Sequence, residues 1–287
     1  MQLRVRLKEK LAARLPPDPQ THIYSSFDII GDIAIIKAPN DSNVAKAIAK
    51  QIMETHKKIQ TVYAQTSPVE GNHRTRKLTL LAGQNTTHTK HKEAGCIFCV
   101  DVEKCYFSPR LSYEHQRVAQ QILAQEIVVN MFAGVGCFSV IIAKTSPQTK
   151  VYSIDINPVA YQFMIKNTHI NGVESRVYSL LGDAKELIET QFENIADRVL
   201  MPLPEKALQY LPAAVLALKK TGGWIHYYDF EHATNKENPV EKTRLKVIDK
   251  LDQLGIRYSF GCGRIVRHTG PNWYQTVLDI QVTSKDQ

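Results

Sequence analysis

The sequence has no long apolar run and little cysteine, and both absences exclude classes of protein. No stretch of the 287 residues approaches the roughly 20 consecutive apolar residues of a membrane-spanning helix. The opening stretch, MQLRVRLKEKLAARLPPD, is charged where a secretion signal is apolar, so we expect no signal peptide and a cytoplasmic location. Five cysteines without such a signal predict reduced thiols rather than disulfides.

The sequence also offers few ligands for a metal site. Cys96 and Cys99 form a CxxC pair with Cys105 nearby, but neither a second pair nor an HxxxH follows. A structural zinc ion takes about four such ligands. We therefore predict that these thiols are small buried side chains and that the protein holds no metal, with zinc as the weaker alternative.

The composition allows a large core and favours a polyanionic partner. Hydrophobic residues make up 43% of the chain, enough for two domains, since domains are typically about 100–200 residues long. Lysine and arginine number 36 against 28 acidic residues, which gives a net charge of +8. Such an excess is typical of proteins that bind nucleic acid, although many basic proteins bind none.

Residues 1–105 predict a small α+β domain. The segment up to Leu15 is typical of a short amphipathic helix that the following prolines terminate. FDIIGDIAIIKA predicts two strands about a Gly-Asp turn, and DSNVAKAIAKQIMETH predicts a helix capped by Asp41 or Ser42. The strand-like runs TVYAQ, RKLTLLAG and CIFCVDVEKCYFSP follow.

Residues 106–287 predict an α/β domain with a doubly wound, Rossmann-like sheet. Apolar runs alternate with helical segments, which is typical of parallel strands connected by helices. The apolar runs are EIVVNMF, KVYSIDI, RVYSLLG, ADRVLMPL, GGWIHYYDF and YQTVLDIQV. The helical segments are FSVIIAKTS, NPVAYQFMIKNTHING, AKELIETQ, PEKALQYLPAAVLALKK and VEKTRLKVIDKLDQLG. A sheet of this kind binds its ligand at the carboxyl ends of the strands.

A glycine turn and two acidic residues follow the first three strands of this domain. Gly134 and Gly136 allow the backbone to approach a ligand closely. Asp155, about 20 residues on, can accept hydrogen bonds from both ribose hydroxyls, and Asp183 ends the third strand near the expected adenine ring. The third glycine that a dinucleotide favours is Ser139 here. The spacing therefore predicts S-adenosylmethionine, and a tight turn that binds nothing is the alternative.

Six segments resemble successive motifs of one enzyme family. They are YFSPRLSYEHQRVA, NMFAGVGCFSV, IDINPVAYQFMIKN, LLGDAKE, ADRVLMPLPEKA and GGWIHYYDF. Together they are similar to the archaeal and eukaryotic tRNA guanine-N1-methyltransferases that act at position 37, and the resemblance extends over about residues 25–283. It implies a class I methyltransferase that transfers a methyl group from S-adenosylmethionine to N1 of guanosine, with the anticodon arm of tRNA as its main partner. It also implies that the domain at residues 1–105 helps to bind this RNA.

The resemblance also implies which residues carry the chemistry. Guanine N1 loses a proton as it attacks the methyl group, and the family's glutamate, a candidate general base, falls on Glu114. The family's arginine, which stabilises charge at guanine O6, falls on Arg74 or Arg76. Cofactor contacts are expected from His115, Asn130, Phe132, Gly134, Gly136, Asp155, Ile156, Asp183, Ala184 and Pro202.

Several of these residues also have an ordinary structural interpretation. Glu114 begins a predicted helix, where a carboxylate interacts favourably with the helix dipole. Arg110 either orders its loop or contacts phosphate. Arg264 and Arg267 form either an RNA-binding strip or a surface charge cluster, and the His-Tyr-Tyr segment 226–228 either lines the pocket or packs at the edge of the core.

Three positions depart from the family's pattern. Asn130 replaces an acidic residue, so it can accept a hydrogen bond from the cofactor's ammonium but contributes no charge. Pro202 replaces an asparagine that positions the target base, and His115 replaces an arginine. Two alternatives therefore stay open: a wyosine-pathway enzyme that transfers a methyl or aminocarboxypropyl group to 4-demethylwyosine, and a catalytically inactive RNA-binding relative. We expect a monomer in each case.

Overall fold

The chain divides into two compact units in the computed structural model, which describes residues 27–37 and 41–284. The units are Met1–Pro109 and Arg110–Gln287, whereas the sequence predicts a boundary after residue 105. That these units are separate domains stays a prediction, and the predicted helix ending at Leu15 lies outside the described residues. Among the described helices, none is long and apolar enough to cross a membrane.

The N-terminal unit contains a four-stranded sheet, a helix and a two-stranded ribbon. The sheet strands, in spatial order, are β1 (Phe27–Ile30), β2 (Ile33–Lys37), β3 (Thr61–Gln65) and β4 (Leu78–Gly83). The ribbon is β5 (His88–Glu93) with β6 (Cys96–Asp101), and helix α1 (Ser42–Thr55) connects β2 to β3. Only β2 and β3 are parallel, as the intervening helix requires. Ile48 and Ile52 of α1 share an apolar core with Ile36 and Val62 of the sheet.

Most of this unit follows the sequence pattern. The hairpin of β1 and β2 is confirmed, and Asp41 is the residue that caps α1, since its Oδ1 accepts from the amides of Asn43 and Val44 at 2.7 and 3.3 Å. The sequence does not predict β5, because HTKHKE is polar throughout and lacks an apolar alternation. This strand forms by pairing with β6.

The C-terminal unit is built on a seven-stranded, mostly parallel sheet. Its strands are β7 (Ile127–Asn130), β8 (Lys150–Asp155), β9 (Val177–Leu181), β10 (Arg198–Met201), β11 (Gly223–His232), β12 (Arg257–Gly270) and β13 (Trp273–Ser284). Its helices are α2 (Ser112–Ala119), α3 (Cys137–Thr145), α4 (Pro158–Ile170), α5 (Ala184–Gln191), α6 (Pro204–Ala217) and α7 (Pro239–Gln253). The spatial order is β12-β13-β11-β10-β7-β8-β9, so the five predicted strands β7 to β11 are confirmed as a parallel set.

The order of the strands determines where a ligand can bind. β10 and β8 lie on opposite sides of β7, so the connections reverse direction at β7, and the carboxyl ends of these strands form the cleft that is typical of α/β ligand sites. Val129 of β7 and Val199 of β10 are completely buried, which explains their continuous apolar runs.

The last two strands differ from the sequence prediction. The run YQTVLDIQV does form β13, but β13 is antiparallel to β11 and not part of the parallel set. The sequence does not predict β12, because RYSFGCGRIVRHTG contains three glycines and no sustained alternation. β12 is one of the two edge strands of this sheet, pairs with β13 and shows register shifts along its length.

Candidate active site

The glycine turn between β7 and α3 is held by Asp155 at the end of β8. Gly134 and Gly136 have φ values of 57° and 92°, a region that glycine adopts readily. The Gly134 amide donates to Asp155 Oδ2 at 2.6 Å, and the Asn157 amide donates to Oδ1 at 2.9 Å. A Cβ at Gly136 would lie 3.2 Å from Met164 Cγ. Asp155 therefore shapes the turn, whatever else it binds.

Asn130, the last residue of β7, is completely buried beneath this turn. Its Nδ2 donates to Ser139 Oγ at 3.1 Å, and Ser153 Oγ donates to the same oxygen at 2.6 Å. Asn130 Oδ1 is buried and has no hydrogen-bond partner among the described residues. An unsatisfied buried carbonyl is costly, so this oxygen fits a site that receives an N–H donor from outside the protein.

Asp183 stands between β9 and α5, where it caps the helix. Oδ1 accepts from the amides of Lys185 and Glu186 at 2.8 and 3.4 Å, and Oδ2 accepts from the Tyr210 hydroxyl at 2.5 Å. The Tyr210 ring also contacts Phe132 edge-to-face, with centroids 5.2 Å apart. Burial, reinforced by Asp183, raises the pKa of Tyr210 to about 12. The sequence indicates Phe132 and Asp183 here but gives no sign of Tyr210.

The other predicted cofactor residues lie on or near this edge of the sheet. Ile156 follows β8 and is 39% exposed, Ala184 is the buried first residue of α5, and Pro202 is half-buried after β10. His115 is buried in α2 and its ring packs edge-to-face on Phe138 of α3 at 4.4 Å. The structure thus brings the predicted set to the ends of the strands and the adjoining helices.

Glu114 lies in α2 and is almost completely buried, with 1% of its surface exposed. Oε1 accepts from the Tyr228 hydroxyl and from Arg117 Nη2, both at 2.7 Å, and Oε2 accepts from Arg117 Nε at 2.9 Å. Arg264 Nη1 is 3.5 Å from Oε2. Burial, reinforced by Glu114, raises the pKa of Tyr228 well above its usual value, so this hydroxyl stays a donor.

Arg117 connects Glu114 to a buried histidine on β11. Its guanidinium donates to both Asp279 oxygens, at 2.6 and 3.1 Å, and His226 Nδ1 is 2.6 Å from Asp279 Oδ1. His226 Nε2 is 2.9 Å from Arg198 Nη1. Since arginine can only donate, Nε2 must accept and Nδ1 must carry the proton. Burial lowers the pKa of His226, in agreement with this neutral tautomer.

The charges of this network stabilise one another. Burial opposes ionisation of Asp279, but hydrogen bonds from His226 and Arg117 outweigh it and hold the Asp279 pKa below its usual range. Burial likewise opposes the charge on Arg117, but Glu114 and Asp279 outweigh it and raise the Arg117 pKa. We call Glu114, Arg117, Asp279, His226 and Arg198 the buried ionic network.

Two family models match the chain. The TRM5/TYW2 methyltransferase domain matches residues 89–253, and the TYW2 N-terminal domain matches residues 7–86. Of the curated relatives, the tRNA (guanine(37)-N(1))-methyltransferase Trm5b of Pyrococcus abyssi is 38% identical over 271 residues, covering 94% of this chain and 78% of the relative. The chain belongs to the TRM5/TYW2 methyltransferase family.

Other family members differ in the reaction that their names state. The tRNA 4-demethylwyosine(37)-methyltransferase Taw21 of Saccharolobus solfataricus is also 38% identical, over 266 residues, covering 91% of this chain and 95% of the relative. The names of these two relatives therefore state the main predicted activity and a wyosine-pathway alternative, respectively.

Solved structures of the TRM5/TYW2 family share the fold. Trm5b from Pyrococcus abyssi matches with a TM-score of 0.82 at 36% identity, covering 94% of this chain and 79% of that one. The complex of aTrm5 with tRNALeu has a TM-score of 0.79 at 30% identity and coverages of 98% and 76%. Pyrococcus horikoshii TYW2 with MeSAdo has a TM-score of 0.78 at 27% identity and coverages of 99% and 100%. The predicted Rossmann-like class is confirmed.

The family's arginine falls in the N-terminal unit, where Arg74 and Arg76 have different surroundings. Arg74 has a φ of 50° and its guanidinium lies 4.0 Å above the Tyr106 ring. Arg76 Nε donates to the Val102 carbonyl at 3.0 Å, and burial lowers the Arg76 pKa. Arg76 Nη2 is buried and has no hydrogen-bond partner among the described residues.

The remaining predicted residues include three arginines and the cysteines. Arg110 is exposed in a single 3-10 turn, and Arg267 Nε donates to Gln275 Oε1 at 2.7 Å. Arg264 stacks on the Tyr113 ring at 4.7 Å besides its contact with Glu114. Cys96, Cys99 and Cys105 are buried, and no group of three or more potential metal ligands occurs within residues 27–37 and 41–284.

The sequence misses most of the buried ionic network, for a physical reason. Arg117 could have been found, since it lies one helical turn after Glu114. Asp279 could not, because 162 residues separate it from Arg117 and the two meet only through the packing of β13 beside β11. The segment 226–228 packs in the interior, where His226 belongs to this network and Tyr228 contacts it.

Proposed function

We propose that the protein methylates N1 of guanosine at position 37 of tRNA, with S-adenosylmethionine as methyl donor. The observation that carries this proposal is the buried, unpartnered Asn130 carbonyl at the same strand edge as Asp155 and Asp183. The chain's family membership supports the reaction, and aTrm5 in its complex with tRNALeu supports the partner. The expected cytoplasmic location and monomeric state belong to the same proposal.

The chain's own residues fit an adenosylmethionine molecule. Asn130 Oδ1 would accept from the ammonium group, Asp155 would accept from the ribose hydroxyls, and Asp183 would face the adenine amine. Gly134, Gly136, Phe132, Ile156, Ala184, Pro202 and His115 complete the proposed contacts. The bound cofactor supplies an electrophilic methyl group on a sulfonium. MeSAdo bound to the relative from Pyrococcus horikoshii supports an adenosyl ligand.

Glu114 is the proposed general base. Its Oε2 accepts one short hydrogen bond, from Arg117 Nε, and a carboxylate oxygen has two lone pairs. Oε2 can therefore take the proton from N1, while Arg117 and Tyr228 hold the carboxylate in place. The target base must leave its stack to reach such a site.

An arginine of the N-terminal unit is the proposed donor to guanine O6, where negative charge develops as N1 loses its proton. The buried, unpartnered Nη2 favours Arg76 over Arg74, whose guanidinium covers Tyr106. Arg110, Arg264 and Arg267 are the proposed phosphate contacts on the C-terminal unit. Replacing Arg76 with lysine should then impair transfer more than replacing Arg74 does.

The reaction is tested by incubating the protein with isotopically labelled adenosylmethionine and an unmodified tRNA transcript. Nucleoside analysis by mass spectrometry should reveal labelled N1-methylguanosine, and a transcript with adenosine at position 37 serves as the control. Product that is independent of position 37 would contradict the proposal. An absence of any product would favour the inactive RNA-binding alternative.

A second candidate is methyl or aminocarboxypropyl transfer to 4-demethylwyosine. Pro202 in place of the expected asparagine favours it, as does the equal identity to Taw21 and Trm5b. The same assay with tRNA that carries 4-demethylwyosine separates the two. A labelled wyosine derivative without methylguanosine would select this candidate, and the mass added would identify the group.

A further inference from the structure

Two different helices hold the Asp183 carboxylate. Oδ1 accepts from the first amides of α5, which is the ordinary behaviour of a helix cap. Oδ2 accepts from the hydroxyl of Tyr210, which belongs to α6 and lies 27 residues further along the chain. The second hydrogen bond is not needed to cap α5, and it ties the Asp183 carboxylate to α6.

The Tyr210 hydroxyl is a permanent donor. Tyr210 is 7% exposed, and its ring is fixed by the edge-to-face contact with Phe132. Burial and Asp183 together raise its pKa to about 12, so the hydroxyl keeps its proton near neutral pH. A phenylalanine would fill nearly the same volume and make the same ring contact. Replacing Tyr210 with phenylalanine therefore removes only the hydrogen bond to Asp183.

The geometry points to Tyr210 as a positioning residue that holds Asp183 as the acceptor for the exocyclic amine of adenine. This inference rests on the proposed cofactor site. A carboxylate can only accept, and Oδ2 keeps a lone pair beside the one that Tyr210 uses. A 6-amino purine donates to that lone pair, whereas a 6-oxo purine presents a second acceptor, and a site built for an N–H rejects such an analogue strongly.

The inference is tested by calorimetry on the full chain with two ligands. S-adenosylhomocysteine carries the 6-amino group, and S-inosylhomocysteine carries a 6-oxo group in its place. The wild type should prefer the adenosyl ligand. Tyr210→Phe should weaken adenosyl binding about tenfold and change inosyl binding by less than about twofold, because only the adenosyl ligand depends on an oriented, charged acceptor.

Tyr258→Phe is the matched control. Its hydroxyl donates to Asp252 Oδ1 at 2.7 Å and its pKa is also raised to about 12, but it lies outside the proposed site. This variant should bind both ligands as the wild type does. Asp183→Asn, which preserves the helix cap, should also lose discrimination, and Tyr210→Phe added to it should have no further effect. Thermal unfolding of each variant without ligand checks that the fold is intact.

The ratio of the two affinities decides the outcome. If Tyr210→Phe leaves that ratio unchanged, whether both ligands bind normally or both weaken equally, the hydroxyl only packs and the inference is wrong. In that case adenosyl binding by the wild type would still support the proposed function. A wild type that binds neither ligand would overturn both.

Discussion

At the residue scale, Glu114, the proposed general base, shows how much of a side chain's setting comes from its partners. Both of its oxygens are held, by Arg117 on its own helix and by Tyr228 on β11. Arg117 is held in turn by Asp279. Such a carboxylate has one orientation, which is what proton transfer to a fixed base requires.

Replacing Glu114 with glutamine tests its role. We expect methyl transfer to slow by about 10²–10⁴-fold, because the amide cannot take the N1 proton. Affinity for S-adenosylhomocysteine should stay within about twofold, since this ligand does not use the base. Single-turnover transfer and calorimetry measure the two quantities.

Glu241→Gln is the control for losing one carboxylate of an arginine pair. Glu241 pairs with Arg244 three residues on, at 3.2 Å and in an exposed position, so its loss should leave transfer unchanged. Unchanged turnover in the Glu114 variant would remove this residue from the mechanism.

The buried, neutral His226 predicts how the free energy of unfolding depends on pH. Burial lowers the pKa of His226 below the unfolded value of about 6.5. At lower pH the histidine is therefore protonated in the unfolded chain while it stays neutral in the native protein. The free energy of unfolding should therefore fall as pH decreases through about 6.5. Asp279, whose pKa is also lowered, adds a separate loss only as pH falls through about 4.

Urea unfolding between pH 8 and 5.5 measures this effect. His226→Asn should flatten part of the slope, and the rest should remain because burial also lowers the pKa of His91 in the N-terminal unit. His169→Asn, at an exposed position, should leave the slope unchanged. A His226 variant that parallels the wild type at every pH would contradict the neutral tautomer.

At the scale of elements, the turn between β7 and α3 depends on a glycine for two reasons. Gly136 has a φ of 92°, and a side chain there would also press on Met164 of α4. Gly172 also has a positive φ, 63°, but a Cβ there would meet nothing within 4 Å. A comparison of the two positions therefore separates the cost of backbone strain from the cost of a steric clash.

Alanine at each position measures the two costs. Gly172→Ala should lower the free energy of unfolding by about 1 kcal/mol, and Gly136→Ala by about 2–3 kcal/mol. Only Gly136→Ala should weaken the binding of S-adenosylhomocysteine, because Gly136 shapes the turn of the proposed cofactor site. Equal losses from the two variants, with equal ligand affinity, would contradict the role given to this turn.

At the scale of the whole molecule, the net charge of +8 predicts salt-sensitive tRNA binding. If about four phosphates are neutralised, raising salt from 50 to 200 mM should weaken binding about a hundredfold. Filter binding with a tRNA transcript measures this salt dependence of the affinity. Affinity for S-adenosylhomocysteine over the same range is the control and should change little. A tRNA affinity that does not change with salt concentration would contradict recognition through phosphate contacts.

The sequence by itself determined the features that depend on neighbours in the chain. The helices and parallel strands of the C-terminal unit, the glycine turn and the acids at the strand ends all follow from local periodicity and turn chemistry. Those segments also carry the family resemblance. The role proposed for Glu114 was assigned from that resemblance, and the predicted helix that contains this residue is confirmed.

Only the tertiary structure decided the contacts that join distant segments. β5 and β12 are polar or glycine-rich, so they become strands through their pairing partners. Asp279 meets Arg117 only because β13 runs antiparallel beside β11, and Tyr210 meets Asp183 only because α5 and α6 lie side by side. A local pattern specifies which element a residue joins, whereas the partner across the fold depends on how the elements pack.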